Sequence, residues 1–380
     1  MSNPQQARTP AAAPAPDGRA DLLILLASPA PDRAALRAAL EALPEADVPA
    51  LLQRAAWHRV DGLASRTLER CAPDRVSPWL LSSLRRRRQR RAAATLAQGL
   101  ALGEILEALG RRDLPVIVLR GLRSVESIYG DPGVRPFEDH DLLVTGREAA
   151  TARATLLRLR FEEAAPGYFR RGGVFVDLHV DPLGARRRPA RAALFPFPTA
   201  SLFERAVPGL VAGGPALIPR AEDELLLLAV HVVKHSFDRL IRIADLAHRL
   251  AAPGTAIDPE ALAARAAASR TTRIVAWALR AAAPLGAPLP PPFAGCRGSR
   301  LEELLVRRAA ALHPLPYCGE ILMALAAPGL RARATFLLDA LWPRGETPTA
   351  ALGRTIAFPG RAAGLVKNAA RQFAERRSVR

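Results

Sequence analysis

Lysine is almost missing from this chain: only Lys234 and Lys367 occur in 380 residues, against 52 arginines. Cysteine is sparse as well. Cys71, Cys296 and Cys318 are odd in number, far apart and outside any C-x-x-C pair or Cys/His cluster, which excludes a disulfide framework and a structural zinc site. Long apolar runs are lacking too. The best, Leu225 to Val233, is interrupted by His231 and ended by Lys234, well short of the ~20 residues a bilayer span needs. Residues 1–20 have no basic stretch leading into an apolar core, so they read as a disordered tail and not as a signal peptide. These absences together predict a cytoplasmic protein with no membrane partner.

What is present is a 49% hydrophobic chain, ample for real cores, and a formal charge of +18. Arginine's planar fork suits phosphate, so the charge could mark a nucleic-acid or nucleotide binder. An Ala-, Arg- and Pro-rich chain with little lysine is also what a GC-rich genome produces on solvated faces. The densest run, Arg85 to Arg91 (RRRRQRR), sits inside a helical pattern and lacks the interleaved aromatics of a single-strand platform, so it reads better as a solvated helix face. Net charge alone assigns no function.

Periodicity divides the chain into helix, α/β and helix. Residues 21–110 recur apolar at three and four and predict an N-terminal helical region. From Asp113 the texture changes. Pro115 to Leu119 predicts a strand, Gly121 to Tyr129 a short helix, Gly130-Asp131-Pro132-Gly133 a turn, Asp139 to Thr145 a second strand and Arg147 to Arg160 a helix. Tyr168 to Arg171 and Val174 to Val180, joined by Gly172-Gly173, predict a hairpin. The expected organisation is a small mixed-sheet α/β unit over 111–200, followed by a helical domain over 201–380. The fold class is α+β, mostly α.

Acidic residues then concentrate the interest. Asp139 and Asp141 are two apart, so on a strand both carboxylates share one face, about 6 to 7 Å apart. Such a pair invites a divalent cation of the Mg²⁺ type, which takes carboxylates plus substrate phosphates. A bare D-x-D is weak evidence. The strand VFVDLHV strengthens it: Val174, Val176, Leu178 and Val180 take one face, while Asp177 and His179 share the other with Phe175. If this strand pairs beside the first, Asp177 becomes a third acid next to Asp139 and Asp141, a repulsive set that metal or protons must compensate.

These segments, VIVLRG, then IYGDPGVRPFEDHDLLV, then VFVDLHVDP, resemble an uncharacterised nucleotidyltransferase family, itself similar to the polymerase-β-like nucleotidyltransferases. WHRV at 57–60, AEDELLLLAVHVVKHSFDRLIRIADLAHRL and FLLDALWPRGE extend the resemblance over roughly residues 20 to 375. It implies a nucleotidyltransferase palm between two helical regions. There Asp139, Asp141 and Asp177 would hold Mg²⁺, two ions in all, at an NTP, and an NMP group would pass to a hydroxyl of a small-molecule, peptide or protein acceptor with release of pyrophosphate. Arg135 matches the arginine before the motif and Gly121 the glycine after the first strand. The chain departs from the pattern in having Arg120 where lysine is usual, His140 at the usually apolar middle of the D-x-D, and Gly121-Leu122 in place of Gly-Ser.

His231, Lys234 and His235 fall on one face of a helix, where Lys234 could meet the leaving pyrophosphate. Val232 stands where H-E-x-x-H needs glutamate, which excludes metalloprotease chemistry. His179, His231 and His235 are each either partners of the metal and substrate groups or hydrogen-bonded structural imidazoles. Nucleotide contacts are thus expected from Arg120, Gly121, Arg135 and Lys234. Two other readings stand beside the enzyme: an arginine-rich nucleic-acid-binding protein, and a degenerate palm that binds nucleotide without turnover.

Overall fold

The computed structural model describes residues 18–183, 189–252, 256–315 and 317–341. Most of the expected N-terminal tail, and the late motif from residue 342 onward, lie outside them. Helices dominate, and they enclose one mixed sheet of seven strands in the order β3-β4-β5-β2-β1-β7-β6. The strands are β1 (Ile117–Val118), β2 (His140–Leu143), β3 (Glu162–Ala165), β4 (Tyr168–Arg171), β5 (Val174–His179), β6 (Val207–Val211) and β7 (Gly214–Ile218).

The diglycine hairpin forms as its sequence predicts. Gly172 and Gly173 both adopt positive φ, 52° and 84°, which is what a two-residue turn between twisted strands requires. Its second strand, β5, then runs parallel to β2, with Asp141 opposite Asp177 and Leu142 opposite Leu178. On one face of this pair Leu142, Val144, Val176 and Leu178 join a core with Leu102, Ile105, Leu106 and Leu109 of the Pro78–Gly110 helix. By alternation, Asp141, Asp177 and His179 lie on the opposite face. That face also carries Ile117, Leu119 and Leu143, which pack on Leu202 and on Leu227 of the Ala221–Lys234 helix.

Three strands were not legible in the sequence. β3 (EEAA) has little strand propensity, and β6 and β7 (VPGLV and GPALI) each contain proline. β6 is an edge strand, which tolerates Pro208, and the hairpin turns on Ala212 and Gly213 at φ 52° and 77°. β7 pairs parallel with β1 through Leu217 and Ile117, so the sheet continues past residue 200.

The Pro78–Gly110 helix is, by length and composition, able to cross a membrane, although its apolar half is not the run singled out in the sequence. Part of that half is buried on the sheet: Gly99 and Gly103 approach Ala212, and an added Cβ at Gly103 would stand 2.8 Å from the Ala212 carbonyl oxygen. Leu96 and Leu100, on another face, are exposed. The arginine run on the same helix is partly engaged within the molecule. Arg88 pairs with Glu69 at 2.9 Å, and Arg91 pairs with Asp61 at 2.7 Å and donates to the Gly133 carbonyl at 3.2 Å. Arg86, Arg87 and Arg90 are exposed.

Candidate active site

β1 ends at Val118, and the backbone N–H of Leu119 still bonds to the carbonyl of Asp141, at 3.0 Å. The next side chain, Arg120, is therefore delivered to the Asp141 carboxylate. It grips it with both arms of the fork, Nε to Oδ2 at 3.0 Å and a terminal nitrogen to Oδ1 at 2.7 Å. Both side chains are buried. His179, brought up by β5, places Nε2 at 2.9 Å from Asp141 Oδ1 and 3.4 Å from Asp177 Oδ2. Because both neighbours are carboxylates, this nitrogen carries the proton.

Asp141, Asp177 and His179 form a compact donor set, with one ligand atom from each lying within 4.8 Å of the others. Burial alone would raise the Asp141 carboxyl. Arg120 and His179 more than offset that, and they hold it well below the usual carboxylate range. Asp139 behaves oppositely. It stands one residue ahead of β2 rather than on the strand, and burial, followed by repulsion from Asp141, pushes it up to about 6. Two aspartates two residues apart thus differ in protonation behaviour, the pattern that separates acid and base roles.

Gly121 is at φ +73°, and a Cβ there would meet the carbonyl oxygen of Asp139 at 2.7 Å. Its lack of a side chain lets the chain after β1 pass against the loop that carries Asp139. His140, between the two aspartates, points into the core against the Phe137 ring, 5.3 Å away between centroids. Burial lowers it to about 4, so it is neutral at ordinary pH.

Lys234 lies within electrostatic reach of the acids. It sits at the end of the Ala221–Lys234 helix and makes a long 3.5 Å contact to the Leu183 carbonyl. Burial brings it down to about 8, helped by the charges of Arg120 and Arg191, while Asp141 and Asp177 pull the other way. Arg191, paired with Glu320 at 3.1 Å, comes from the proline-rich connector and was not singled out in the sequence, where nothing distinguished it from its neighbouring arginines. The His231 and His235 rings lie 4.4 Å apart between centroids, tilted at 55°. Burial holds His231 well below its ordinary value and His235 at about 2, so both rings are neutral. Arg242 donates to His231 Nε2 at 3.3 Å.

Arg135 is engaged elsewhere. Its fork closes on Asp245, Nε to Oδ1 at 2.9 Å and a terminal nitrogen to Oδ2 at 2.8 Å, and Tyr129 Oη donates to the same carboxylate at 2.7 Å. All three residues are buried. The motif arginine thereby ties the loop before β2 to the Leu240–Ala251 helix, the helix of the IADLA segment.

The arrangement is a carboxylate pair steadied by an imidazole, with a raised carboxyl beside it, Arg120 bound to it and Lys234 nearby. Such a site can hold a divalent ion and a polyanion together. No curated protein and no solved structure matches the chain. A family model does, that of an uncharacterised nucleotidyltransferase, over residues 44–286, a span that includes β1 to β7, all three aspartates and the Asp245 helix. The chain belongs to that uncharacterised nucleotidyltransferase family.

Proposed function

We propose that this protein transfers an NMP group from an NTP to a hydroxyl of a small-molecule, peptide or protein acceptor, with Mg²⁺ dependence. The observation that carries the reading is the parallel register that sets Asp141 beside Asp177, with His179 on the same face and the Lys234 ammonium within electrostatic reach of both carboxylates. Two carboxylate donors suit Mg²⁺, which otherwise draws ligands from water and substrate phosphates. Imidazole is a softer donor, and His179 fits better as the group that orients both carboxylates. A bound Mg²⁺ would neutralise phosphate charge at Asp141 and Asp177. The compact set supports one ion; a second would have to draw in Asp139.

In the transfer the acceptor oxygen forms a bond to the α-phosphorus as the bond from that phosphorus to the bridging oxygen of the β-phosphate breaks, and pyrophosphate leaves. Asp139, raised to about 6, is suited to take the hydroxyl proton, since a base works best with a pKa near the operating pH. Lys234, with Arg191 near it, would offset the charge gathering on the leaving pyrophosphate, and Arg120 is held on the Asp141 carboxylate. Gly121 lets the chain after β1 pass against the Asp139 carbonyl, which fixes the loop that carries Asp139. Arg135 supports the site through Asp245. Positioning and charge compensation are the main needs of phosphoryl chemistry, and no reactive side chain is required.

Mg²⁺-dependent pyrophosphate release tests this. Asp141→Asn and Asp177→Asn should each lower it by on the order of a hundredfold or more; unchanged turnover in both would sink the proposal. The bidentate hold of Arg120 on Asp141 also favours a second reading, a palm that binds nucleotide without turnover. Nucleotide binding by calorimetry with no release under any NTP would select it.

A further inference from the structure

The Asp141 carboxylate already has a cation. Arg120 takes a hydrogen-bonding position on each oxygen and His179 a further one on Oδ1, so three of the roughly four lone-pair directions of the group are in use. A divalent ion arriving at Asp141 would meet a fixed guanidinium on the same oxygens. Arg120 in turn lies within electrostatic reach of Lys234, whose ammonium it disfavours together with Arg191. Lys234 and Arg120 are thus two nearby cations that an anion placed beside them would bridge.

Resting on the nucleotidyl-transfer reading, we propose that Arg120 is a resident counter-cation that keeps a divalent ion off Asp141 until the phosphates of an NTP draw the guanidinium away. Metal and nucleotide then bind synergistically, and the free protein holds metal weakly. Lysine would do this less well at the same place, because a single ammonium cannot occupy both carboxylate oxygens in the fork geometry. Arg120 is a positioning residue in this scheme. The exchange is coupled in both directions, since whatever frees Arg120 must favour the phosphate and whatever binds Asp141 must free Arg120.

The test uses the full chain and two binding measurements made apart from turnover. Mn²⁺ binding without nucleotide, followed by electron paramagnetic resonance, should be about tenfold tighter in Arg120→Gln than in the wild type, with Arg120→Lys between them. In chelator, binding of a nonhydrolysable NTP should strengthen in Asp141→Asn, which frees Arg120. It should strengthen more there than in Asp177→Asn, which removes the same charge without freeing it. Equal or weaker Mn²⁺ binding in both Arg120 variants overturns the proposal, as does an equal nucleotide gain in the two aspartate variants. If Arg120→Gln does not fold, Arg120→Lys and the aspartate pair still decide. Absence of Mn²⁺ binding in every form would overturn the metal site itself, whereas tight binding that ignores Arg120 overturns only the competition.

Discussion

Replacing Arg135 by methionine separates a supporting role from a substrate role. The substitution keeps much of the side-chain bulk and removes every hydrogen bond from the fork to Asp245, whose carboxylate is 1% exposed and would retain the Tyr129 hydroxyl. Removing one partner of a buried ion pair costs about 3 to 5 kcal/mol, mostly because the remaining charge stays buried without compensation. With a urea dependence of about 3 kcal/mol per molar, the unfolding midpoint should fall by roughly 1 to 1.7 M. The double variant Arg135→Met/Asp245→Leu should recover most of the loss, because apolar replacement of the whole pair removes the stranded charge. Urea unfolding followed by circular dichroism measures both. A midpoint unchanged in Arg135→Met, with weakened nucleotide binding instead, would refute the supporting role and return Arg135 to the phosphates.

Two further outcomes follow from the loops around β2. Gly121→Ala would combine a positive φ with a Cβ 2.7 Å from the Asp139 carbonyl oxygen, so it should cost on the order of 1 to 3 kcal/mol in thermal unfolding and lower turnover; a neutral effect would show that this loop yields freely. His140 is lowered from 6.5 to about 4, so between those values the unfolded chain binds protons that the folded one does not, and stability is lost as pH falls through this window, by up to about 3 kcal/mol. Its ring nitrogens make no well-formed hydrogen bond, although the backbone of Gln98 is near enough to favour the charged form slightly. His140→Leu should therefore flatten the dependence of the unfolding midpoint on pH between 7 and 5; an unaltered slope would mean that other groups, such as His248, also lowered to about 4, carry it.

Local chemistry made part of this molecule readable in advance. The alternation of VFVDLHV, the diglycine turn and the spacing of Asp139 and Asp141 are short-range signals, and the strand faces and the Asp141 and Asp177 pairing grew from them. Asp139 was expected on the strand but stands just before it, because the ladder with β5 begins at His140. What escaped depends on distant partners. Nothing near Arg135 indicates an aspartate 110 residues away, and nothing near Arg120 indicates that the D-x-D would supply its counter-ion. Asp245 could have been noted in IADLA as a lone acid on an apolar helix face, a position that calls for a buried partner. The β6–β7 hairpin was hidden by its prolines: Pro208 is tolerated because β6 is the edge strand, and Pro215 lies near the start of β7, two residues before its pairing with β1 at Leu217.

Label transfer would show whether this site moves a nucleotidyl group. The purified protein, Mg²⁺ and cell extract are incubated with each NTP labelled at either the α- or the γ-phosphate. The α-label from at least one NTP should become attached to an acceptor, the γ-label should leave as pyrophosphate, and Asp141→Asn should abolish both. Transfer of γ-label to the acceptor, or α-label transfer that persists in Asp141→Asn, would contradict nucleotidyl transfer at this site.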